Sequence, residues 1–431
     1  MNPLAEELNS QLAPTIAGRL LSRMGSRLYF PKGIIAQSAE AKKSAHAANA
    51  TIGMAYKRGK PLILPVVAES MPTLDAEQIV AYAPTAGVEQ VRKSWHDHIL
   101  EKNPLLKNGQ FSLPVVVPGL TSGLSDIADL FLDEDSVIIS SEPCWDNYSL
   151  IFEERRAAKI RGVPFFGNGP ELDVGAIERA VKEEAQKGQV RVILNFPNNP
   201  AGYSPSISEA AALAKVFNDA AESGADVLVI CDDAYFGLHY ENDIFPESMF
   251  SLLAGLHEKI LAVKIDGPIK EDYVWGLRVG FVTFGCKGLG AEQYSALITK
   301  LMGAIRSSVS CVNTPSQHII MKILEDSRTE PEKAAFMELM RKRYNNVRSF
   351  ISANPNHPAL KPLPFNSGYF MSFLCSGISA EALRKELLTE HGIGTISLGD
   401  KCIRIAYSSL DEDQIQPVFR TIYDSAARMS G

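Results

Sequence analysis

Three apolar runs in the middle of the chain each lead into a residue able to do chemistry. Arg191–Leu194 leads into Asn195 and the loop Pro197-Asn198-Asn199-Pro200-Ala201-Gly202, Val227–Cys231 into Asp232, and Ile260–Ile265 on to Lys270. A lysine amine can act as nucleophile or proton carrier, and a cleft that also gathers an acid and an amide is equipped for group transfer. Ligands in α/β sheets bind outside the carboxyl ends of the strands, so parallel strands would bring the three groups to one cleft. Any one of them alone reads as a turn residue; their recurrence at successive strand ends favours the cleft.

The elements that would position them follow from the hydrophobic pattern. Between Phe111 and Phe284, β-branched runs alternate with amphipathic stretches, as strands do when crossover helices join them. The runs predict strands at Val115–Val117, Ser136–Ser140, Arg191–Leu194, Val227–Cys231, Ile260–Ile265 and Val279–Phe284, and helices at Leu124–Leu132 and Ser208–Glu222, the latter capped by Ser208. Near-continuous apolar strands imply a mostly parallel sheet covered on both faces, an α/β fold. The last third predicts helices at Ser316–Glu325, Pro331–Ser352 and Ser379–His391, strands at Gly368–Leu374 and Cys402–Tyr407, and a terminal helix. We therefore expect a large α/β domain over 57–320 and a smaller α+β domain from 1–56 with 321–431.

Composition narrows the class. A 431-residue chain exceeds the roughly 100–200 residues of one simple domain, and 45% apolar with 22% charged residues implies a packed core. The formal charge of −7 argues against a general affinity for nucleic acid or anionic lipid. Six cysteines (Cys144, Cys231, Cys286, Cys311, Cys375, Cys402) include no CxxC pair, so no metal site is expected. Acids in MNPLAEELNSQLAP and the lack of a long apolar run predict neither a secretory signal nor a membrane span, hence a cytoplasmic protein.

The order and spacing of the motifs resemble a known family. Asn195-Phe196-Pro197-Asn198-Asn199-Pro200-Ala201-Gly202 is similar to the N-x-P-x-N-P-x-G loop of class I/II aminotransferases, and Asp232-Asp233-Ala234-Tyr235 to their D-x-x-Y. Lys270 precedes Arg278, in Gly276-Leu277-Arg278-Val279-Gly280, by eight residues, the family's interval between the coenzyme lysine and a phosphate-binding arginine. The resemblance runs from about Tyr82 to Arg404. It implies pyridoxal-phosphate fold type I, with Lys270 carrying the coenzyme as a Schiff base and shuttling the substrate proton. Asp232 would keep the pyridine nitrogen protonated, while Asn199 and Tyr235 would bond the ring's phenolic oxygen. Arg278 would grip the phosphate with its planar fork. Gly123, Leu124 and Ser125, in Thr121-Ser122-Gly123-Leu124-Ser125, would supply further donors there, unless this stretch is only a capping turn.

Trp145 would stack on the ring. Arg404, in Cys402-Ile403-Arg404-Ile405-Ala406-Tyr407, would bind the substrate α-carboxylate, with Gly53 and Asn195 nearby; an arginine between apolar residues is costly to bury without an anion. Tyr82, in Tyr82-Ala83-Pro84-Thr85-Ala86-Gly87, would reach the phosphate of a second subunit in a homodimer. Lys264 is a rival for Lys270 but lies fourteen residues before Arg278, and Asp233 is expected to point away. The chain departs from the family at Gly267, where a serine or threonine is usual. Activity follows as transamination between an amino acid and a 2-oxo acid by a ping-pong route. β-Elimination from cysteine conjugates on the same residues and a coenzyme-binding regulatory module are the alternatives. A dicarboxylate-specific enzyme would want a second arginine; Ser308, rather than Arg306, falls at that place, which favours neutral or aromatic side chains.

Overall fold

The computed structural model describes residues 1–12, 27, 34–51, 53–70, 73–108 and 111–430. Much of residues 13–33 of the expected small domain, with Ile52 beside Gly53, lies outside them. Among the described residues seven strands build the main sheet: β1 (Val115–Val117), β2 (Val137–Glu142), β3 (Lys159–Pro164), β4 (Gln189–Asn195), β5 (Asp226–Asp232), β6 (Ile260–Asp266) and β7 (Gly280–Gly285). Their order is β1-β7-β6-β5-β4-β2-β3, and only β7 runs against its neighbours.

β5 and β6 are buried along almost their whole length because both faces are covered. Val229 and Ala262 pack into one core, Ile230 and Val263 into the other, the consequence of side chains alternating along a strand. Truncating Ile230 to alanine would cost about 2–5 kcal/mol. Helices α1 (Leu120–Phe131) and α2 (Ile207–Glu222) flank the sheet, and α3 (Ala291–Ser308) packs beside α1.

Three local expectations need correction. The edge strand β3 was not predicted: only Val163 of its six residues is buried, so it lacks the apolar run that marks its neighbours. Helix α2 is capped by Ser206, not Ser208; the Ser206 hydroxyl accepts from Glu209 N while the Glu209 side chain returns to Ser206 N, a capping box. Helix α1 starts at Leu120 rather than Leu124, one turn early, because Gly119 takes φ +84 as its N-cap, a conformation glycine adopts without Cβ strain.

A second sheet, antiparallel throughout, contains β8 (Leu360–Pro362), β9 (Phe370–Cys375), β10 (Ile396–Leu398) and β11 (Cys402–Ala406) in the order β8-β9-β11-β10. Helices α4 (Thr329–Ala353), α5 (Ala380–His391) and α6 (Glu412–Ser430) pack around it. The segment Ala48–Asn49 pairs in parallel with Ile393–Gly394, tying this part of the N-terminal region to the C-terminal third. Among the described residues no helix is long and apolar enough to cross a membrane.

Candidate active site

The strand register places Asn195 beside Asp232, and Asp232 beside Ile265, at the carboxyl ends of β4, β5 and β6. A cavity of about 120 Å³ opens there, walled by Asn195, Asn199, Asp232, Tyr235, Lys270 and Arg278, with Leu120, Thr121, Leu124, Trp145, Ala234 and Ile269. A larger groove of about 620 Å³ lies at the opposite ends of the same strands, around Leu228, Leu261 and Leu297, and holds none of these polar groups.

Asp232 is buried, and its Oδ2 accepts a hydrogen bond of 2.5 Å from the Tyr148 hydroxyl. Its Oδ1 has no partner among the described residues. Burial raises the carboxyl pKa to about 6, against the pull of the Tyr148 hydrogen bond. A buried acceptor left alone costs about 1–3 kcal/mol, so the free oxygen at the cavity wall favours a cationic N–H. The neighbouring Asp233 turns away: its Oδ2 accepts from Ser248 Oγ at 2.6 Å and from Lys264.

Lys270 and Lys264 sit in opposite electrostatic settings. Loss of hydration, and then repulsion from Arg278, lowers the Lys270 pKa to about 8, while Asp232 opposes the shift. Much of its amine is therefore neutral and nucleophilic near pH 8. Its Nζ lies 5.1 Å from the Tyr235 ring centroid, and its carbonyl accepts from the Tyr369 hydroxyl at 2.9 Å. Lys264 is fully buried and paired with Asp233 and Asp266. Burial opposes its charge, but the two carboxylates outweigh that and raise its pKa. It stays an ammonium, outside the cavity wall.

Arg278 follows a short 3-10 turn with φ +53, and its guanidinium lies against the start of α1. A Cβ at Gly119 would stand 2.5 Å from its Nη2, and the φ of +84 there is one that other residues rarely adopt, so glycine suits this close approach. Leu120 and Thr121 are thereby brought beside Arg278, an arrangement suited to a phosphate. Gly123 and Ser125 do not line the cavity: α1 begins a turn earlier than expected, and Gly123 is turned onto the sheet, where a Cβ would meet Val282, Ile265 and Val117 at 3.1–3.2 Å. At Gly267 a Cβ would come within 2.9 Å of Val279 O, which is backbone and has little freedom to give, so a serine cannot stand there undisturbed.

Arg404, 2% exposed, stands on β11 behind the cavity-lining Asn199 and is not itself in the lining. Its Nη1 donates to Asn199 Oδ1 at 2.8 Å and its Nη2 to Thr51 O at 3.1 Å, and it lies 4.2 Å over the Phe370 ring. The Nε is buried and has no partner among the described residues. Burial lowers its pKa, with Tyr235 and then Asp146 opposing. Gly53 is not in the cavity lining but lies beside it, its Cβ position 3.2 Å from Phe370 Cζ and 3.4 Å from the Tyr235 hydroxyl. Tyr82 is 94% exposed and outside the cavity, and Arg306 and Ser308 are also exposed, with Arg306 donating to Ser310 Oγ.

Residues 53–422 match the model of the family described as aminotransferase class I and II. The chain belongs to that family. It is 24% identical over 290 residues to a probable aspartate/prephenate aminotransferase of Aquifex aeolicus, covering 65% of this chain and 66% of the relative. It is also 24% identical over 297 residues to an aspartate aminotransferase of Bacillus subtilis, covering 65% of each. The matches thus span just under two thirds of these relatives. Among solved structures, an aminotransferase from Anaerococcus prevotii superposes with a TM-score of 0.84 at 21% identity, over 94% of this chain and 99% of that one. A Pyrococcus horikoshii kynurenine aminotransferase gives 0.78 at 14%, over 96% and 99%. These likenesses establish the fold type I architecture.

Members of the family use pyridoxal phosphate, and the residues of this class I/II chain fit it. The buried Asp232 Oδ1 lacks the donor that a protonated pyridine nitrogen supplies, and a neutral-prone lysine stands in the same cavity as an arginine placed at a helix start. Sequence reasoning assigned no task to Tyr148, Leu120 or Thr121, although Thr121 opens the stretch it expected at the phosphate. For Tyr148 the signal was its position three residues after Trp145, on the same turn.

Proposed function

We propose that the protein is an aminotransferase that moves an amino group from an amino acid to a 2-oxo acid by a ping-pong route, with Lys270 as the coenzyme's covalent attachment point. The observation that carries this reading is the joint presence, in one small cavity, of a lysine with a depressed pKa, a buried carboxylate with one free oxygen and a glycine-backed arginine. When bound, the coenzyme supplies an electron sink for the charge that develops at the substrate α-carbon.

The chain's own groups then have separable tasks. Asp232 would hold the ring nitrogen protonated by opposite charge at close range. Asn199 and Tyr235 would hydrogen-bond the phenolic oxygen, Trp145 would cover the ring, and Arg278 with Leu120 and Thr121 would hold the phosphate. The Lys270 amine would take the proton from the α-carbon and return it at the coenzyme's C4′. Arg404 would bind the α-carboxylate. Its unpartnered Nε favours an arriving anion, while Asn199, Thr51 and the Phe370 ring hold the guanidinium in place.

In this reading 57–320 form the coenzyme-binding domain, and 1–56 with 321–431 the smaller domain that brings Arg404 to the cleft. Tyr82, with its ring in solvent in the single chain, would act in a homodimer at the neighbour's phosphate. Neutral or aromatic amino acids are the proposed donor class, in a cytoplasmic enzyme. Profiling a panel of amino donors against 2-oxo acids, with each half-reaction followed spectroscopically, tests the proposal. Amino-group transfer in both directions supports it, and release of ammonia and pyruvate from cysteine conjugates without transfer would replace it.

A further inference from the structure

Asp232 is held from behind by a group to which neither the family motif nor the spacing argument assigned a task. We infer that Tyr148 is a positioning residue for the ring-nitrogen site: its hydroxyl occupies one oxygen of Asp232 and leaves the other oxygen of this cavity-lining acid free for the ring nitrogen. The inference rests on the proposed role of Asp232.

The geometry is specific. Tyr148 is 1% exposed and its hydroxyl donates to Asp232 Oδ2 at 2.5 Å, whereas Oδ1 has no partner among the described residues. The phenol is fixed in place by ring contacts with Trp145, edge-on at 5.5 Å, and with Phe152 at 5.7 Å. Trp145 lines the same cavity. A single turn therefore supplies both the aromatic cover and the hydroxyl that sets the acid, so the two are positioned together.

The hydrogen bond also selects a charge state. Burial, then the nearby Asp232 charge, raises the Tyr148 pKa, so the phenol remains a donor throughout the working range. A permanent donor rewards the ionised carboxylate and not the neutral acid. The groups bearing on Asp232 are Tyr148, the Asp233 carboxylate, the Lys270 amine and the Ala234 backbone N–H; those bearing on Tyr148 are Asp232, Cys144 and Tyr235. Of these, burial and Asp233 push the Asp232 pKa up, while Tyr148 is the largest influence pulling it down. Without the hydroxyl, the acid is more readily neutralised and its hold on the ring-nitrogen proton weakens.

The test is Tyr148→Phe in the full chain, loaded with pyridoxal phosphate labelled with ¹⁵N in the ring. The ring-nitrogen chemical shift reads its protonation directly. The variant should keep its coenzyme, move the ¹⁵N signal toward the unprotonated value between pH 7 and 9, and lose about 10- to 100-fold in kcat with little change in KM, the loss expected for one hydrogen bond to a charged group. An unchanged ¹⁵N signal and pH profile, even with a lowered Tm, would reduce Tyr148 to a packing residue and overturn the inference. If Tyr148→Phe does not fold, replacing Tyr148 with 3-fluorotyrosine keeps the shape and makes the hydroxyl a stronger donor. The ring nitrogen should then keep its proton to a higher pH than in the parent, and an unchanged deprotonation midpoint would again overturn the inference. Asp232→Asn separates this failure from failure of the underlying reading: if that variant leaves the ¹⁵N signal intact, Asp232 itself is not the nitrogen's partner.

Discussion

Replacing Arg404 with alanine should separate substrate recognition from coenzyme binding. The guanidinium is nearly inaccessible, donates to Asn199 Oδ1 at 2.8 Å and Thr51 O at 3.1 Å, and its Nε has no partner among the described residues. An incoming carboxylate meets a charge that has already lost its hydration, and truncating one side of such a pair costs about 2–5 kcal/mol. Amino-acid affinity should therefore fall roughly 30- to 5,000-fold. The substitution also leaves Asn199 Oδ1 and Thr51 O without these donors, at about 1–3 kcal/mol each, so Tm should fall as well. Spectral titration of the bound coenzyme with an amino donor gives the first quantity, and titration of the stripped protein with pyridoxal phosphate gives the control. Loss of the coenzyme with retained amino-acid affinity would assign Arg404 to the phosphate and refute the carboxylate role.

Two further predictions use the same geometry. In the stripped protein the Lys270 pKa is lowered to about 8 from its ordinary 10.5, so between those values the unfolded chain binds more protons and stability rises with pH. Lys270→Met should accordingly be more stable than the parent below about pH 8, with the gap closing toward pH 10.5 in chemical denaturation; a gap independent of pH would contradict this. If Tyr82 acts across a dimer, mixing subunits carrying Lys270→Ala with subunits carrying Tyr82→Ala collects both lesions in one site and leaves the other intact. Verified mixed dimers should then be more active than either parent homodimer, and no recovery, or a monomer in solution, would count against the shared site.

Much of the site was legible in the sequence because its residues stand at strand ends, where apolar runs stop abruptly. Asn195, Asp232 and Lys270 needed only the parallel register to meet, and Arg278 only its interval from Lys270. Position within a turn was less legible. The left-handed Gly119 starts α1 early and brings Leu120 and Thr121, rather than Gly123 and Ser125, to the cavity; nothing in Gly119-Leu120-Thr121 alone specifies that. Tyr148 was hidden for a different reason. A buried tyrosine reads as core, and its partner lies 84 residues away on another element. The Lys264 pairing was equally non-local, since only folding brings Asp233 beside it. The edge strand β3 escaped because an edge needs no continuous apolar run.

The most direct test of the coenzyme's attachment is borohydride reduction of the loaded protein followed by peptide mapping. Lys264 and Lys270 are six residues apart in sequence, yet one is locked as an ammonium between two carboxylates and the other carries an amine depressed to about 8 at the cavity wall. Reduction should fix one coenzyme per chain, all of it on Lys270. Modification of Lys264, or of neither lysine in protein that has bound the coenzyme, would contradict the assignment.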